Sequence, residues 1–122
     1  MEYSISLSDD SKYIFLKYKG KINREIALKA TVEAHERAKK HGISCILVDV
    51  IESTNLESVI NNYGYAYEEL RVAPINRQMV VALLVDPDDH SHDFIETLMI
   101  NAGHNLKLFR DRERAIQHLT RS

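Results

Sequence analysis

The sequence has little cysteine, proline, glycine or tryptophan: one Cys, two Pro, four Gly and no Trp in 122 residues. Because Cys45 is alone, the chain cannot be one of the small disulfide-stapled domains. No apolar run approaches the roughly 20 residues that a membrane-spanning helix needs. The first residues also lack the basic and apolar regions of a secretory signal. We therefore expect a cytoplasmic protein that does not insert into membranes.

An excess of one charge sign is also missing. Sixteen Lys and Arg residues against 18 Asp and Glu residues give a formal net charge of −2. The basic excess of a nucleic-acid-binding protein is absent, and no nucleic-acid partner is expected. The apolar fraction of 44% is typical of globular proteins. We expect one domain, residues 1–122, which at this length buries roughly two-thirds of the surface of the unfolded chain.

The N-terminal segment predicts an antiparallel β-hairpin. Tyr3, Ile5 and Leu7 alternate with serines, which is the period of two that a half-buried strand shows. Residues 9–12 have the composition of a turn, and residues 13–19 are the second predicted strand.

The next segment predicts a helix that ends at about His41. Asn23 is a suitable N-cap residue, and Gly42 stands where a helix commonly stops. Small residues recur along one side and would let the helix backbone approach a sheet closely. These residues are Ala27, Ala30, Ala34 and Ala38.

Three further strands are predicted at residues 45–50, 79–85 and 105–109. The first two are too uniformly apolar to have a solvated face. Thr54 and Glu57 have the spacing of a capping box, which predicts that a second helix starts at Thr54. Its apolar stripe consists of Leu56, Val59, Ile60, Tyr63, Tyr67 and Leu70.

Two more helices are predicted in the C-terminal part. Residues 86–89 are predicted to form an acidic turn before a helix at about 90–102, and Asp86 and Pro87 have the form of its N-cap and first helical residue. Its apolar positions at helical spacing are Phe94, Ile95, Leu98, Met99 and Ala102. Asp111 is the predicted cap of a terminal helix, around which the arginines at 110, 112, 114 and 121 are interpreted as a solvated basic face.

The alternation of strands and helices predicts an α/β domain. It would have a mostly parallel five-stranded sheet, an antiparallel N-terminal edge hairpin and four helices. Right-handed crossovers between neighbouring strands place their helices on the same face of the sheet. The other face of the two apolar strands would then be uncovered, which predicts a homodimer formed through the sheet or its edge.

Several segments are similar to those of a known superfamily. GKIN at residues 20–23 leads into the first helix, LVD at 47–49 ends a strand, and NAGHN at 101–105 precedes LFRDRE at 108–113. Together they resemble the STAS-like superfamily of sulphate-transporter and anti-sigma-factor-antagonist domains, and within it the stand-alone SpoIIAA-like proteins. The resemblance implies a (βα) superhelix that serves protein partners or small ligands rather than catalysis.

Anti-sigma antagonists of this superfamily are switched by phosphorylation of a serine in an Asp-Ser-Ser/Thr-Gly-like turn after the third strand. The corresponding segment here has hydroxyls at Ser53, Thr54 and Ser58 but no Ser-Gly or Thr-Gly pair. A phosphate on Ser53 or Thr54 would meet the positive end of the second helix, although flanking glutamates would oppose it. The alternative is an unmodified Thr54 cap. These three residues and Tyr65 are the predicted phospho-switch or partner surface.

Residues 86–93 contain four aspartates and two histidines. They follow a predicted parallel strand, at the edge where open α/β sheets bind ligands. Asp49 and Asp86 would offer carboxylates to Mg²⁺, and His90 and His92 would offer imidazoles to a transition metal. The alternative is that the aspartates only cap the helix. No metal, cofactor or catalytic residue is therefore assigned.

Three functions are compatible with these patterns. The first is a non-catalytic regulatory module that acts through protein contacts. The second is a carrier of a small apolar molecule or lipid, in a pocket between the second and third helices and the sheet. The third is a metal-dependent hydrolase that uses Asp49, Asp86 and the two histidines. Nucleophile and nucleotide motifs are lacking, since Ser91 is in no G-x-S-x-G elbow and no P-loop is present.

Overall fold

The computed structural model describes residues 3–55, 78–90 and 92–120, and only the backbone at residues 54 and 55. The helices and strands of these ranges follow in chain order. They are β1 (Tyr3–Leu7), β2 (Ile14–Ile22), α1 (Arg24–His41), β3 (Cys45–Asn55), β4 (Val80–Leu84), α2 (Asp93–Asn101), β5 (Asn105–Phe109) and α3 (Arg112–Thr120).

The strands form one sheet in the order β1-β2-β3-β4-β5. β1 and β2 pair antiparallel, and each later neighbour pairs parallel. The α/β class, the five strands, the mostly parallel sheet and the N-terminal edge hairpin are therefore confirmed. Three of the four predicted helices lie in the described residues, and the predicted apolar stripe from Leu56 to Leu70 lies outside them.

The caps predicted for α1 are confirmed. The Asn23 side chain accepts a hydrogen bond from the Ile26 N–H at 2.9 Å. Gly42 has a φ of 66°, the left-handed conformation that ends helices, and its N–H points back to the last carbonyls. Ala30, Ala34 and Ala38 are fully buried against the sheet, as their spacing predicts.

The two faces of the sheet are covered by different helices. α1 packs on Leu16 and Ile46, and Met99 of α2 packs beside α1. α3 lies on the opposite face, where Ala115 and Leu119 form a cluster with three buried residues of β3 and β4. These are Leu47, Ala82 and Leu84.

The prediction that one sheet face is uncovered is therefore wrong. α3 follows the edge strand β5 and does not connect two neighbouring parallel strands. The crossover rule consequently does not determine its face. The predicted homodimer rested on an uncovered sheet face, and α3 covers that face.

The prediction that Thr54 caps a helix is also wrong. β3 continues to Asn55, and Thr54 pairs with Lys21 of β2 after an irregularity in register between Lys17 and Lys19. A strand pairs through backbone groups, so the polar side chains at its end do not prevent the extension. The tertiary pairing overrides the local capping-box spacing.

The third predicted helix begins later than its sequence signals suggest. The Asp86 carboxylate accepts the Asp88 N–H at 2.9 Å, and the Asp89 N–H donates to the Asp86 carbonyl at 3.0 Å. The predicted acidic turn at residues 86–89 is therefore confirmed, but Asp86 does not cap the helix, because aspartate can satisfy backbone groups of a turn as well as of a helix. α2 begins at Asp93, and His92 precedes it without a side-chain cap. In the described residues, no helix is long and apolar enough to span a membrane.

Candidate functional site

The interior of β3 holds a buried carboxylate that is paired with a half-exposed arginine. Asp49 is 1% exposed and lies on the sheet face that α3 covers. Its Oδ2 is 2.7 Å from Arg112 Nη2, and its Oδ1 accepts the Ile51 N–H at 2.9 Å. The Arg112 guanidinium also lies 5.9 Å from the centroid of the Phe15 ring. Both carboxylate oxygens are engaged, so this aspartate joins the start of α3 to the sheet.

A second ion pair lies beside the first on β2 and β3. Lys17 Nζ is 2.6 Å from Glu52 Oε2, and both side chains are partly exposed. The hydrogen bond from Lys17 lowers the pKa of Glu52, and the same bond raises the pKa of Lys17. Because water screens this pair, it contributes little to stability.

The turn before α2 carries a cluster of charged side chains. His90 Nδ1 is 2.9 Å from Asp93 Oδ2, and Arg110 Nη2 donates to Asp93 Oδ1 at 2.9 Å. Arg110 Nη2 is also 3.3 Å from His90 Nδ1. The hydrogen bond with His90, followed by that from Arg110, lowers the pKa of Asp93. The cluster fastens the first turn of α2 to the end of β5.

His92 lies in a different environment from His90. Its side chain is 5% exposed, whereas that of His90 is 70% exposed. His92 Nε2 is buried and has no hydrogen-bond partner among the described residues, and Asp89 Oδ2 lies 3.8 Å from it. Burial lowers the pKa of His92, and the nearby charges of Asp89 and Asp93 oppose that shift. His92 is therefore favoured in its neutral form.

The four metal candidates are placed in four separate environments. Asp49 binds Arg112, Asp86 closes a turn, His90 contacts Asp93, and His92 is buried. Within the described parts of the chain, no three His, Cys, Asp or Glu side chains are positioned to hold a metal ion together. The residue set of the predicted hydrolase is not assembled.

The predicted phospho-switch residues are only partly described. Ser53 is 6% exposed, and its hydroxyl donates to the Val50 carbonyl at 3.0 Å. The Thr54 backbone belongs to β3. Ser58 and Tyr65 lie outside the described residues. In this conformation the Ser53 hydroxyl is not presented to a kinase.

The arginines are the site residues that sequence reasoning missed. Arg110 and Arg112 were interpreted as a solvated face, yet each binds an aspartate of another element. One signal was present, because an aspartate inside an apolar strand is seldom fully buried without a counter-charge. Which of the arginines is the partner of Asp49 depends on the placement of α3.

α2 departs from its predicted apolar stripe at one position. Phe94 is 60% exposed, and Ile100 is 49% exposed on the same helix. Met99 is buried, and Ile95 and Leu98 pack partly buried beside it. Since α2 turns its 95–98–99 side toward α1, Phe94 is left at the surface.

A solved structure aligns with this one over nearly the whole chain. It is an uncharacterized protein of the DUF3478 family from Shewanella loihica PV-4, described as having a SpoIIAA-like fold. The two structures align with a TM-score of 0.56 over 96% of this chain and 91% of that chain. This chain has the SpoIIAA-like fold. The resemblance in the sequence is thereby confirmed for the fold.

The SpoIIAA-like fold is what the comparisons establish. The sequence identity with the Shewanella protein is 18%, which shows a shared fold and no shared activity. No family model matches the sequence, and no curated protein matches it. Function must therefore be argued from the residues of this chain.

Proposed function

We propose that this protein is a non-catalytic regulatory module that binds a protein partner through the exposed side of α2. The SpoIIAA-like fold supports the class, because the anti-sigma antagonists that the sequence resembles act through protein contacts. That support is an analogy of fold.

The observation that carries the proposal is the exposure of Phe94. This phenylalanine is 60% exposed, and Ile100 on the same helix is 49% exposed. Thr97 lies between them and is also exposed. Residues three apart are neighbours on a helix surface, so Phe94, Thr97 and Ile100 form one stripe, the α2 contact face. Exposed aromatic side chains are frequent anchors of protein interfaces.

The charges around the α2 contact face indicate the chemistry of the partner. Asp86, Asp88 and Asp89 lie in the turn before the helix, and Asp93 and Glu96 lie in its first turn. The last turn of α2 contains no basic residue. Complementary charge across an interface speeds association and fixes orientation. We therefore expect an apolar patch rimmed by Lys and Arg on the partner.

The internal contacts of the candidate catalytic groups support a non-catalytic role. Asp49 uses both carboxylate oxygens inside the fold, and Asp86 closes a turn. His92 is buried, and His90 contacts Asp93. A general acid or base must lie within hydrogen-bond reach of a substrate.

The end of β3 is a second proposed contact region. It comprises Thr54, Ser58 and Tyr65 of the surface predicted from the sequence, whereas Ser53 of that surface is buried in this conformation. Thr54→Glu tests it, since a carboxylate there should change partner binding if the region is in contact. Unchanged binding by Thr54→Glu would remove this region from the proposal and leave the α2 contact face as it stands.

Photo-crosslinking tests the α2 contact face. We place p-benzoylphenylalanine at Thr97, and as a matched control at Arg37, an exposed position of α1. In lysate of the source cells, position 97 should crosslink a protein through a Lys- or Arg-containing peptide, and position 37 should not. Phe94→Glu should abolish the crosslink. Leu7→Glu, which changes a 37%-exposed apolar residue of β1, should retain it.

Two results would contradict the proposal. One is equal crosslinking from positions 97 and 37, and the other is a position-97 crosslink that survives Phe94→Glu. Light scattering on the purified protein tests the predicted homodimer separately. A crosslink from position 97 to a second copy of the chain would assign this face to self-association and contradict a different partner protein.

The alternative function is that of a carrier for a small apolar molecule or lipid. A ligand that stays bound through purification would favour it. Its predicted pocket adjoins the second predicted helix, which lies outside the described residues. Native mass spectrometry of the purified protein tests it directly. Repeated preparations without bound lipid or small apolar molecule would contradict a carrier.

A further inference from the structure

A basic depression lies at the edge of the sheet, beside the start of α3. α3 covers β3 and β4 through Ala115 and Leu119, and β5 is the edge strand beyond them. The depression, with a volume of about 500 Å³, opens between β5 and the start of α3. Its lining residues are Lys107, Leu108, Phe109, Arg110, Asp111 and Arg114.

The side chains of the depression combine positive charge with an aromatic ring. Lys107 and Phe109 are two residues apart on β5 and therefore project to the same face. Lys107 Nζ lies 5.5 Å from the centroid of the Phe109 ring. Arg114 contributes a guanidinium from the first turn of α3, and its side chain is 79% exposed.

In the part of the chain that the structure describes, the side chains of Lys107 and Arg114 are not neutralised by a close carboxylate. Arg110 is engaged by Asp93, but within the described residues Lys107 Nζ has no carboxylate oxygen within 4 Å. Asp111 accepts the Glu113 and Arg114 N–H groups as the cap of α3. Its other oxygen is 4.0 Å from Arg114 Nε, a long contact between exposed groups that is worth little. The local charge is positive on a chain whose net charge is −2.

The open edge of β5 favours a small ligand over an added strand. Glu96 Oε2 accepts the Leu108 N–H at 2.6 Å, so this amide is occupied by a side chain of α2. A peptide that paired with β5 would have to displace this carboxylate. An acidic peptide would in addition be repelled by the negative charge of the Glu96 carboxylate.

We propose that this depression binds a small organic anion, one that carries a phosphate or carboxylate group on a planar apolar ring. The Lys107 ammonium and the Arg114 guanidinium pair with the oxyanion. The Phe109 ring supplies the apolar contact for the ligand ring. The groups that bind the anion are on β5 and α3, so the proposal does not depend on the function proposed for α2.

Titration with phenyl phosphate, followed by backbone amide NMR, tests the proposal. We expect saturable shifts at Lys107, Phe109 and Arg114, with a Kd on the order of 1 mM or tighter for a ligand of this size. Phenol and inorganic phosphate should each bind more weakly than phenyl phosphate. Benzoate, titrated in the same way, distinguishes a carboxylate source from a phosphate source of the anion. Binding should weaken as the salt concentration rises.

Charge-removing variants test which residues hold the anion. Lys107→Gln and Arg114→Gln should each weaken phenyl phosphate binding about threefold, the effect of one exposed ion pair. Lys29→Gln and Arg37→Gln are matched controls on exposed positions of α1, on the other face of the sheet. Both controls should bind as the wild type does, and all four proteins should show unchanged thermal unfolding.

Three results would overturn the proposal. The first is an absence of saturable shifts at residues 107–114. The second is an equal loss of affinity in the site variants and the α1 controls. The third is inorganic phosphate binding as tightly as phenyl phosphate, which would remove the role of the Phe109 ring.

Discussion

Arg112 Nη2 lies 2.7 Å from Asp49 Oδ2 and joins the first residue of α3 to the interior of β3. The side chain of Asp49 is 2% exposed, and that of Arg112 is 49% exposed. A buried carboxylate that loses its partner keeps the full cost of leaving water. This pair therefore holds α3 on the sheet face that would otherwise be open.

We predict that Arg112→Met destabilises the fold by about 1–3 kcal/mol, below the range for fully buried pairs because Arg112 is half exposed. Urea unfolding measures the change. Arg114→Met, on the same helix with a 79%-exposed side chain, should stay within about 0.5 kcal/mol of the wild type. Equal effects of the two substitutions would show that the Asp49 contact contributes nothing specific.

A double-mutant cycle isolates the pair itself. Asp49→Leu should be destabilising alone, since it removes the acceptor of the Ile51 N–H as well as the partner of Arg112. The double substitution Asp49→Leu/Arg112→Met should cost less than the sum of the single ones, because no charge is then left unpaired. Strict additivity in the same unfolding experiment would contradict a direct coupling.

The pKa of His92, lowered by burial from its ordinary value of 6.5, predicts an acid-sensitive stability. As pH falls through 6.5, the unfolded chain gains a proton at His92 that the folded chain does not bind. The free energy of unfolding therefore decreases as pH falls, until the lower folded pKa is reached. Denaturant titrations from pH 8 to pH 5 should show this slope in the wild type and a reduced slope in His92→Gln.

Asp93 acts in a separate window. Its pKa is lowered from 3.8 by His90 and Arg110, so its stabilising effect is present above pH 3.8 and is lost as pH falls through its folded pKa. An identical slope in wild type and His92→Gln above pH 5 would contradict the assignment to His92.

Gly42→Ala should destabilise the protein by about 1 kcal/mol. Gly42 ends α1 with a φ of 66°, which an L side chain adopts at a cost. A Cβ at this position would meet no atom within 4 Å, so the effect isolates backbone strain from steric overlap. Thermal unfolding of Gly42→Ala and of Lys40→Ala, an exposed neighbour in the last turn, makes the comparison. Equal melting temperatures would contradict the strain.

Ala34→Leu should destabilise the protein by about 1–3 kcal/mol through overpacking. Ala34 is fully buried where α1 meets the sheet, and the row of small residues sets the distance between them. Arg37→Leu adds an apolar side chain to an exposed position of the same helix and should change the unfolding free energy by less than about 0.5 kcal/mol. A neutral Ala34→Leu in urea unfolding would show that α1 can move away from the sheet freely.

Local signals were sufficient for much of the fold. Asn23 and Gly42 delimit α1 as predicted, and the predicted strand at residues 105–109 matches β5 in both bounds. Asp111 accepts the Glu113 N–H at 2.9 Å, as a predicted cap should. Caps, turns and strand periods depend on residues a few positions apart, so the sequence carries them directly.

Local signals failed where two elements compete for the same residues. At Thr54 the structure has pairing with β2 in place of the predicted cap, and at Asp86 it has the predicted acidic turn without the predicted N-cap. In each case the helix cap and the structure actually formed would satisfy the same backbone N–H and C=O groups. The choice between them depends on which neighbour lies within reach, and a reading of adjacent residues does not contain that information.

By itself the sequence determined the α/β class, the antiparallel N-terminal hairpin and the ends of α1, because these follow from period and capping. Its resemblance to SpoIIAA-like proteins indicated the fold. Only the tertiary structure decided that α3 covers the second face and that Phe94 stays exposed. It also decided that Arg112 is the partner of Asp49, 63 residues away along the chain. Such contacts depend on where whole elements pack, and their free energy is gained only after the chain has folded around them.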